Sequence, residues 1–241
     1  MSPSANTIMT YPTINTGSAK RLEGSIYVVT FFVSETPWNE NEKMDLFKKL
    51  RDAESWLEWK AKEYGKTVRF VNGVHGLFEP FEVEVVPDYD AGPATDIAER
   101  YLTQAGLPSG AGYSAWVKRN SGCDQSLIFV IANKAGRGYA NPFGGDNDWA
   151  EGTVLFHAAQ RPLERSSIIH EFLHLFGAVD LYETDAQTRE NSERMEKMYP
   201  KEVMHNHYFP LKELQLSPLT AWLVGLSDKE EPWFESFLLS P

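Results

Sequence analysis

The sequence has 241 residues, of which 42% are hydrophobic and 13% aromatic, enough for one sizeable core and incompatible with wholesale disorder. Its 34 acidic residues outnumber its 23 basic residues, and the net charge of -11 argues against a nucleic-acid partner because no basic surplus exists to neutralise phosphates. Cys123 is the only cysteine, which excludes an intrachain disulfide.

The N-terminal residues 1–23 are rich in Ser, Thr, Asn and Pro and predict a flexible arm, followed by a single domain over residues 24–241. The arm has no basic segment followed by an apolar core, unlike a secretory signal peptide. No apolar run approaches the roughly 18 residues of a membrane helix, so no membrane partner is expected. These features favour a protein that is cytoplasmic or released without a classical signal peptide, or one that is secreted if a leader was trimmed.

Strand and helix patterns alternate along the next part of the chain. Apolar β-branched and aromatic runs bounded by turn residues predict strands, whereas helical spacing of apolar residues predicts helices. The predicted strands are residues 25–33, 66–74, 81–86, 126–132 and 153–157, and the predicted helices are residues 38–64 and 94–105. This alternation predicts an α/β domain.

Residues 133–149 contain four glycines together with Asp146, Asn147 and Asp148. The composition favours a solvated cluster of turns. A structural Ca²⁺ loop is the alternative, since hard oxygen ligands are concentrated here, although the spacing of an EF-hand is not present.

The pattern HExxH occurs at residues 170–174 within a largely apolar stretch. Two residues four positions apart lie one turn apart on a helix, so His170 and His174 can converge on one metal ion. Neutral imidazoles suit Zn²⁺, whose catalytic sites have three protein ligands and an open position for water. Glu171 can reach that position and is therefore the candidate general base.

Gly177 lies three residues after His174, where a helix commonly ends in a left-handed turn that glycine adopts without strain. Such a turn would bring Asp180 toward the two imidazoles as a third ligand. The flanking residues are mostly apolar, so the helix is expected to be buried. Buried His and Glu side chains without a partner would be costly, whereas a metal site satisfies them.

The segment HEFLHLFGAVD resembles the zinc-binding signature HExxHxxGxxH/D of the metzincin clan of metallopeptidases. Asp180 and the following Tyr182 resemble the snapalysin-like type. The resemblance implies a metzincin-like α/β (α+β) domain with a mixed twisted sheet, divided into a sheet subdomain over about residues 24–177 and a smaller one over about 178–241. It also implies hydrolysis of a protein or peptide substrate by a zinc centre of His170, His174 and Asp180.

The same resemblance suggests roles for residues around the centre. Met204 is expected in a methionine turn beneath the zinc histidines, and a C-terminal helix should follow, with Ser217 as its cap and Pro218 at its first position. The candidates for stabilising the oxyanion or lining the cleft are Tyr182, His205, His207 and Tyr208. The strand before the zinc helix is expected at the sheet edge, pairing with substrate through Val154, Leu155, Phe156 and His157.

Two alternatives remain open. Glu193 lies near the distance at which gluzincins place their third ligand, so a gluzincin-type peptidase is the first. The second is a non-catalytic interaction protein stabilised by zinc. The presence of Glu171 argues against the second alternative, because a purely structural site needs no base and usually closes its fourth position with a ligand.

Overall fold

The computed structural model describes residues 17–34, 38–79, 81, 87–88, 92–141 and 148–238. Within these ranges five strands form one sheet, in the order β2-β1-β3-β5-β4. The strands are β1 Gly24–Val33, β2 Val68–His75, β3 Gln125–Asn133, β4 Tyr139–Asn141 and β5 Glu151–His157. Neighbouring strands are parallel except β4, which runs antiparallel to β5. The predicted α/β class is confirmed.

Helices cover both faces of the sheet. They are α1 Glu40–Glu63, α2 Ala94–Gln104, α3 Ala111–Ser121, α4 Arg165–Leu175, α5 Arg189–Met198, α6 Pro218–Leu223 and α7 Glu235–Leu238. Helices α1 and α4 share a core with one face, and α2 and α3 with the other. Within the described ranges, no helix combines the length and the apolar character needed to cross a membrane.

The central strands are apolar on both faces because both faces are covered. Along β1, Val28 and Phe32 pack in the core of α1 and α4, whereas Val29 and Phe31 pack in the core of α2 and α3. This alternation leaves hardly a polar position in the strand. It explains why β1 and β3 read in the sequence as continuous hydrophobic runs.

The part of the predicted arm that the structure describes, residues 17–23, is packed against the domain. Ala19 and Leu22 are fully buried, and the backbone N–H of Leu22 donates to the carbonyl of Val224 at 2.8 Å. The N–H groups of Lys20 and Arg21 donate to Gln125 Oε1 at 2.8 and 3.3 Å. These bonds and the two buried side chains attach residues 19–22 to the domain.

Two expectations from the sequence fall largely or partly outside the described residues. The predicted strand at residues 81–86 is described at Phe81 alone. In the proposed Ca²⁺ loop, Asp146 and Asn147 are likewise not described, whereas Asp148 forms an exposed ion pair with Lys20 at 3.2 Å. The calcium interpretation therefore stays a prediction.

The expectation that β5 is the edge strand is wrong for residues 152–154, which β4 covers, whereas residues 155–157 pair with β3 alone among the described strands. β5 lies between β3 and β4, and β4 pairs with it through Tyr139–Val154, Ala140–Thr153 and Asn141–Gly152. Val154, Leu155, Phe156 and His157 are all buried. His157 also accepts a hydrogen bond at Nδ1 from the N–H of Leu163, at 3.2 Å. A three-residue strand emerging from a glycine-rich segment has taken the edge position.

Glu151, at the start of β5, is a buried carboxyl that makes stability depend on pH. Burial raises its pKa from 4.5 to about 8, although the N–H of Ala19 donates to Oε2 at 2.8 Å and favours the charged form. Between these two pH values the folded chain holds a proton that the unfolded chain has released. The contribution of the protonated Glu151 carboxyl to the free energy of unfolding is thus fully present below about pH 4.5, and it is lost as the pH rises through about 8.

We therefore expect the unfolding free energy of the wild type to fall more steeply between pH 6 and 8 than that of Glu151→Gln. The difference in slope should approach roughly 1.4 kcal/mol per pH unit, the value for one proton. Urea denaturation of both proteins across this range measures it. Equal slopes would show that Glu151 is ionised in the folded chain.

Candidate metal centre

Helix α4 carries the two histidines on a largely buried segment. Ile168, Ile169, Phe172 and Leu173 are fully buried in the core beneath the sheet, which fixes the helix and its rotation. His170 and His174, one turn apart, consequently present their rings on the same side, with ring centroids 4.6 Å apart and planes at 88°. The helical placement predicted for HExxH is present.

A glycine turn after α4 brings the third group to these rings. Gly177 has φ of 93°, and its N–H donates to the carbonyl of His174 at 2.9 Å, while the N–H of Ala178 donates to Leu173 at 3.0 Å. This left-handed turn reverses the chain at the helix end. It places Asp180 Oδ1 3.1 Å from His170 Nε2 and 3.2 Å from His174 Nε2.

Backbone carbonyls orient both imidazoles. His170 Nδ1 lies 3.1 Å from the carbonyl oxygen of Val203, and His174 Nδ1 lies 2.8 Å from that of Ala178. Because a carbonyl oxygen only accepts, each Nδ1 carries a proton, and each Nε2 faces inward, where it binds a metal ion when it carries no proton. This is the orientation that metal-binding histidines adopt.

With both Nδ1 atoms directed at carbonyl oxygens, the two Nε2 atoms and Asp180 Oδ1 converge on one position that a cation would satisfy. The two Nε2 atoms are 3.0 Å apart, and Asp180 Oδ1 lies at 3.1 and 3.2 Å from them, with no other hydrogen-bond donor among the described residues. A tetrahedral ion with ligand bonds of about 2.0–2.1 Å separates its ligand atoms by roughly 3.3 Å. Both the donor set and the separations thus fit a small divalent metal ion.

The charges in the cluster agree with this interpretation. Burial raises the pKa of Asp180, but the adjacent imidazoles outweigh it and hold this pKa well below the ordinary value, so the group is a carboxylate. Burial lowers the pKa of His174, whereas Asp180 and Glu171 raise it to a net value above the ordinary one. The cluster therefore attracts positive charge.

Glu171 lies beside the three candidate ligands and is 7% exposed. Burial raises the pKa of its carboxyl, although the neighbouring His170 and His174 favour the charged form. Its Oε2 has no hydrogen-bond partner among the described residues. Gly138 lies against the other oxygen, and a Cβ there would stand 3.2 Å from Oε1, so a glycine keeps this side open. An unengaged carboxyl next to a metal position is suited to proton transfer.

Met204 is fully buried in the loop that supports His170. Its carbonyl accepts a hydrogen bond from the N–H of Leu181 at 2.9 Å, which ties the loop to the segment that bears Asp180. The preceding residue, Val203, supplies the carbonyl that orients His170. Met204 thus lies on a loop that contacts two of the three candidate ligand segments, and its role in a methionine turn stays a prediction.

Sequence reasoning missed the buried carboxyl that holds this loop, Glu202. It accepts hydrogen bonds from Thr220 Oγ1 at 2.8 Å, from the N–H of Ser217 and from the N–H of Met204 at 3.4 Å. Burial raises the pKa of Glu202 to about 7 against the effect of these donors. Because Ser217 caps α6, this carboxyl connects the C-terminal helix to the support of His170.

The centre opens into a cleft of about 720 Å³. Each of the four predicted cleft residues lines it: Tyr182, His205, His207 and Tyr208. The rings of Tyr182 and His207 lie 6.3 and 4.7 Å from the ring of His170. Burial lowers the pKa of His207 to about 4, so its imidazole is neutral at pH 7. Tyr182 and His207 are therefore the members of this set nearest the centre.

The other two predicted cleft residues, His205 and Tyr208, lie farther from the candidate metal ligands. His205 Nε2 lies 3.0 Å from Ser192 Oγ, so this ring is engaged with α5. Tyr208 is 84% exposed and lies at the rim. Glu193, the alternative third ligand, is exposed on α5 and forms an ion pair with Arg189 at 3.0 Å. It is not part of the metal-ligating group found among the described residues.

The comparisons with known proteins contribute no relationship. No protein-family model matches the sequence, and no curated protein is significantly similar to it.

Proposed function

We propose that this protein is a zinc-dependent peptidase of metzincin-like architecture, with His170, His174 and Asp180 as the metal ligands. The observation that supports this most is the convergence of three potential ligand atoms within 3.0–3.2 Å, next to Glu171 Oε2, which has no hydrogen-bond partner among the described residues. The glycine turn, the loop of Met204 and the capped helix α6 occur in the order that the metzincin resemblance implies.

Zn²⁺ suits this donor set and, when bound, supplies a Lewis acid that polarises a carbonyl and acidifies water. The carboxylate of Glu171 then accepts the proton of the attacking water at Oε2 and delivers it to the leaving amine. Water's oxygen joins the carbonyl carbon and the C–N bond breaks. Tyr182 and His207 stand near enough to the centre to donate to the oxygen that becomes negative.

The substrate backbone pairs with β4 in this proposal, rather than with β5. No strand covers the outer side of β4 within the described ranges, and Tyr139 and Ala140 both line the cleft. An edge strand offers backbone N–H and C=O groups to an extended peptide.

The proposal predicts an enzyme whose activity follows its metal. Zinc-loaded protein should cleave a mixed peptide library, lose this activity on dialysis against EDTA, and regain it with about one equivalent of Zn²⁺ per chain. Mg²⁺, which prefers oxygen ligands, should not restore it. Mass spectrometry of the products measures cleavage, and elemental analysis measures the zinc content. Stoichiometric zinc without any cleavage would favour the non-catalytic interaction protein, whereas absence of zinc would overturn the metal centre itself.

A further inference from the structure

Two arginines lie on the wall of the cleft beside the candidate metal centre. Arg137 stands between Gly136 and Gly138 just before β4, and Arg161 lies between β5 and α4. The backbone of Arg161 is held by reciprocal hydrogen bonds with Ala158, at 2.9 and 3.2 Å. Both arginines are thus carried by segments that the fold fixes next to the site.

The charge of this wall is opposite to that of the protein as a whole. The net charge of the chain is -11, yet the acidic side chains of the described cleft lining are Glu171 and Asp180, both of which belong to the metal centre. A bound divalent cation would offset their two negative charges. The remaining charged groups of the described wall are then the two guanidinium groups, which attract an anion.

The two arginines have different surroundings. Arg137 Nη2 donates to the hydroxyl of Tyr182 at 2.5 Å, and Tyr182 in turn lies 6.3 Å from the ring of His170. It is therefore fixed near the centre. Arg161 is exposed, and its guanidinium has neither an ion pair nor a hydrogen bond in the part of the chain that is described.

The segments that carry the arginines touch each other. Gly136 lies against the ring of Phe156, where a Cβ would overlap the ring. Phe156 is two residues before Ala158, the backbone partner of Arg161. The arginines thus belong to one wall, on the side where β4 offers its edge. A guanidinium binds a carboxylate through two parallel hydrogen bonds, a geometry that a neutral amide does not reproduce.

We propose that the cleft selects peptides carrying a carboxylate, which Arg161 binds while Arg137 adds to the positive field. The carboxylate belongs to a Glu or Asp side chain or to the C-terminus of the substrate. This inference rests on the proposed peptidase function for its catalytic readout, but recognition of the carboxylate is measurable without cleavage. It predicts that an acidic protein prefers acidic substrates.

Matched peptide pools test the proposal. Each pool is randomised over neutral residues, acetylated and amidated, and carries one fixed Glu, Gln or Lys; a fourth pool is neutral with a free C-terminal carboxylate. For the zinc-loaded wild type, kcat/KM for the Glu pool should exceed that for the Gln pool by about tenfold, as a charge-assisted hydrogen bond would give. In Arg161→Gln, the ratio of kcat/KM for the Glu pool to that for the Gln pool should approach one. In Arg161→Glu, kcat/KM should be highest for the Lys pool.

A matched charge variant and a binding measurement separate recognition by Arg161 from a general effect of charge and from cleavage. Arg119 is exposed on α3, on the other face of the sheet, and Arg119→Gln removes the same charge without changing the ratio. Anisotropy with labelled pools measures binding to Glu171→Gln protein with and without Arg161→Gln. A preference confined to the free C-terminal pool assigns the carboxylate to the terminus.

The outcomes also separate this inference from the proposed function. Cleavage without preference for either carboxylate overturns the inference and leaves the peptidase intact. Binding that depends on Arg161 without cleavage of any pool retains the recognition site and overturns the peptidase. If the pools are neither bound selectively nor cleaved, both proposals fail.

Discussion

We expect Glu171→Gln to lower kcat for peptide hydrolysis by about 10²- to 10⁴-fold while the zinc content stays at about one ion per chain. Glutamine has nearly the same shape as glutamate but cannot accept a proton at neutral pH. Glu171 is not among the three converging ligands, so the metal centre keeps its donors. Steady-state kinetics with a cleaved peptide and elemental analysis of the same preparation measure the two effects.

Glu164 provides the matched control for this variant. It is exposed at the N-terminal end of α4, so Glu164→Gln makes the same chemical change on the same helix away from the cleft. We expect its kcat to stay within about twofold of the wild type, as is usual for a surface substitution. If Glu171→Gln were as active as Glu164→Gln, the proton would be moved by another group and the assigned mechanism would be wrong.

Asp180→Ala is expected to weaken zinc binding by more than about 100-fold, beyond the loss that follows removal of an outer-shell partner. The substitution removes the only carboxylate of the converging group and leaves two imidazoles. The cluster also loses the charge that raises the pKa of His174. Competition with a chromogenic chelator measures the affinity, and circular dichroism checks that the variant is folded.

Glu193→Ala serves as both the control and the test of the alternative ligand. Its carboxylate is exposed and paired with Arg189, so zinc affinity should equal that of the wild type. The opposite result, in which Glu193→Ala loses zinc and Asp180→Ala keeps it, would replace the compact ligand set by the gluzincin arrangement.

The parts of the site that the sequence predicted are those governed by local geometry. The separation of His170 and His174 is set by the helical repeat, and Gly177 is set by the left-handed turn that ends a helix. Asp180 follows within three residues, so few chain paths are open to it. The central strands β1 and β3 were predictable for a similar reason, because burial on both faces leaves almost every position apolar.

The parts that the sequence did not predict depend on contacts between distant segments. Strand β4 is three residues long and has no alternation to detect; its pairing with β5 displaces the expected substrate edge. Arg137 was part of a stretch interpreted as turns or a calcium loop, and its partner Tyr182 lies 45 residues away. Glu202 directly follows residues rich in charge and has no motif around it, although it is fully buried beside α6.

Residues 18–23 have a consequence for how the domain folds. Arg21 Nη2 donates to the carbonyl of Gly225 at 2.7 Å, a contact that spans 204 residues of sequence, and Leu22 is bonded to Val224 beside it. Such pairs raise the contact order of the chain, because a very long loop must close before they form. The loop of Met204 and helix α6 lie within that span. We therefore expect the loop of Met204, which orients His170, to reach its native structure late in folding, together with the closure of this long loop.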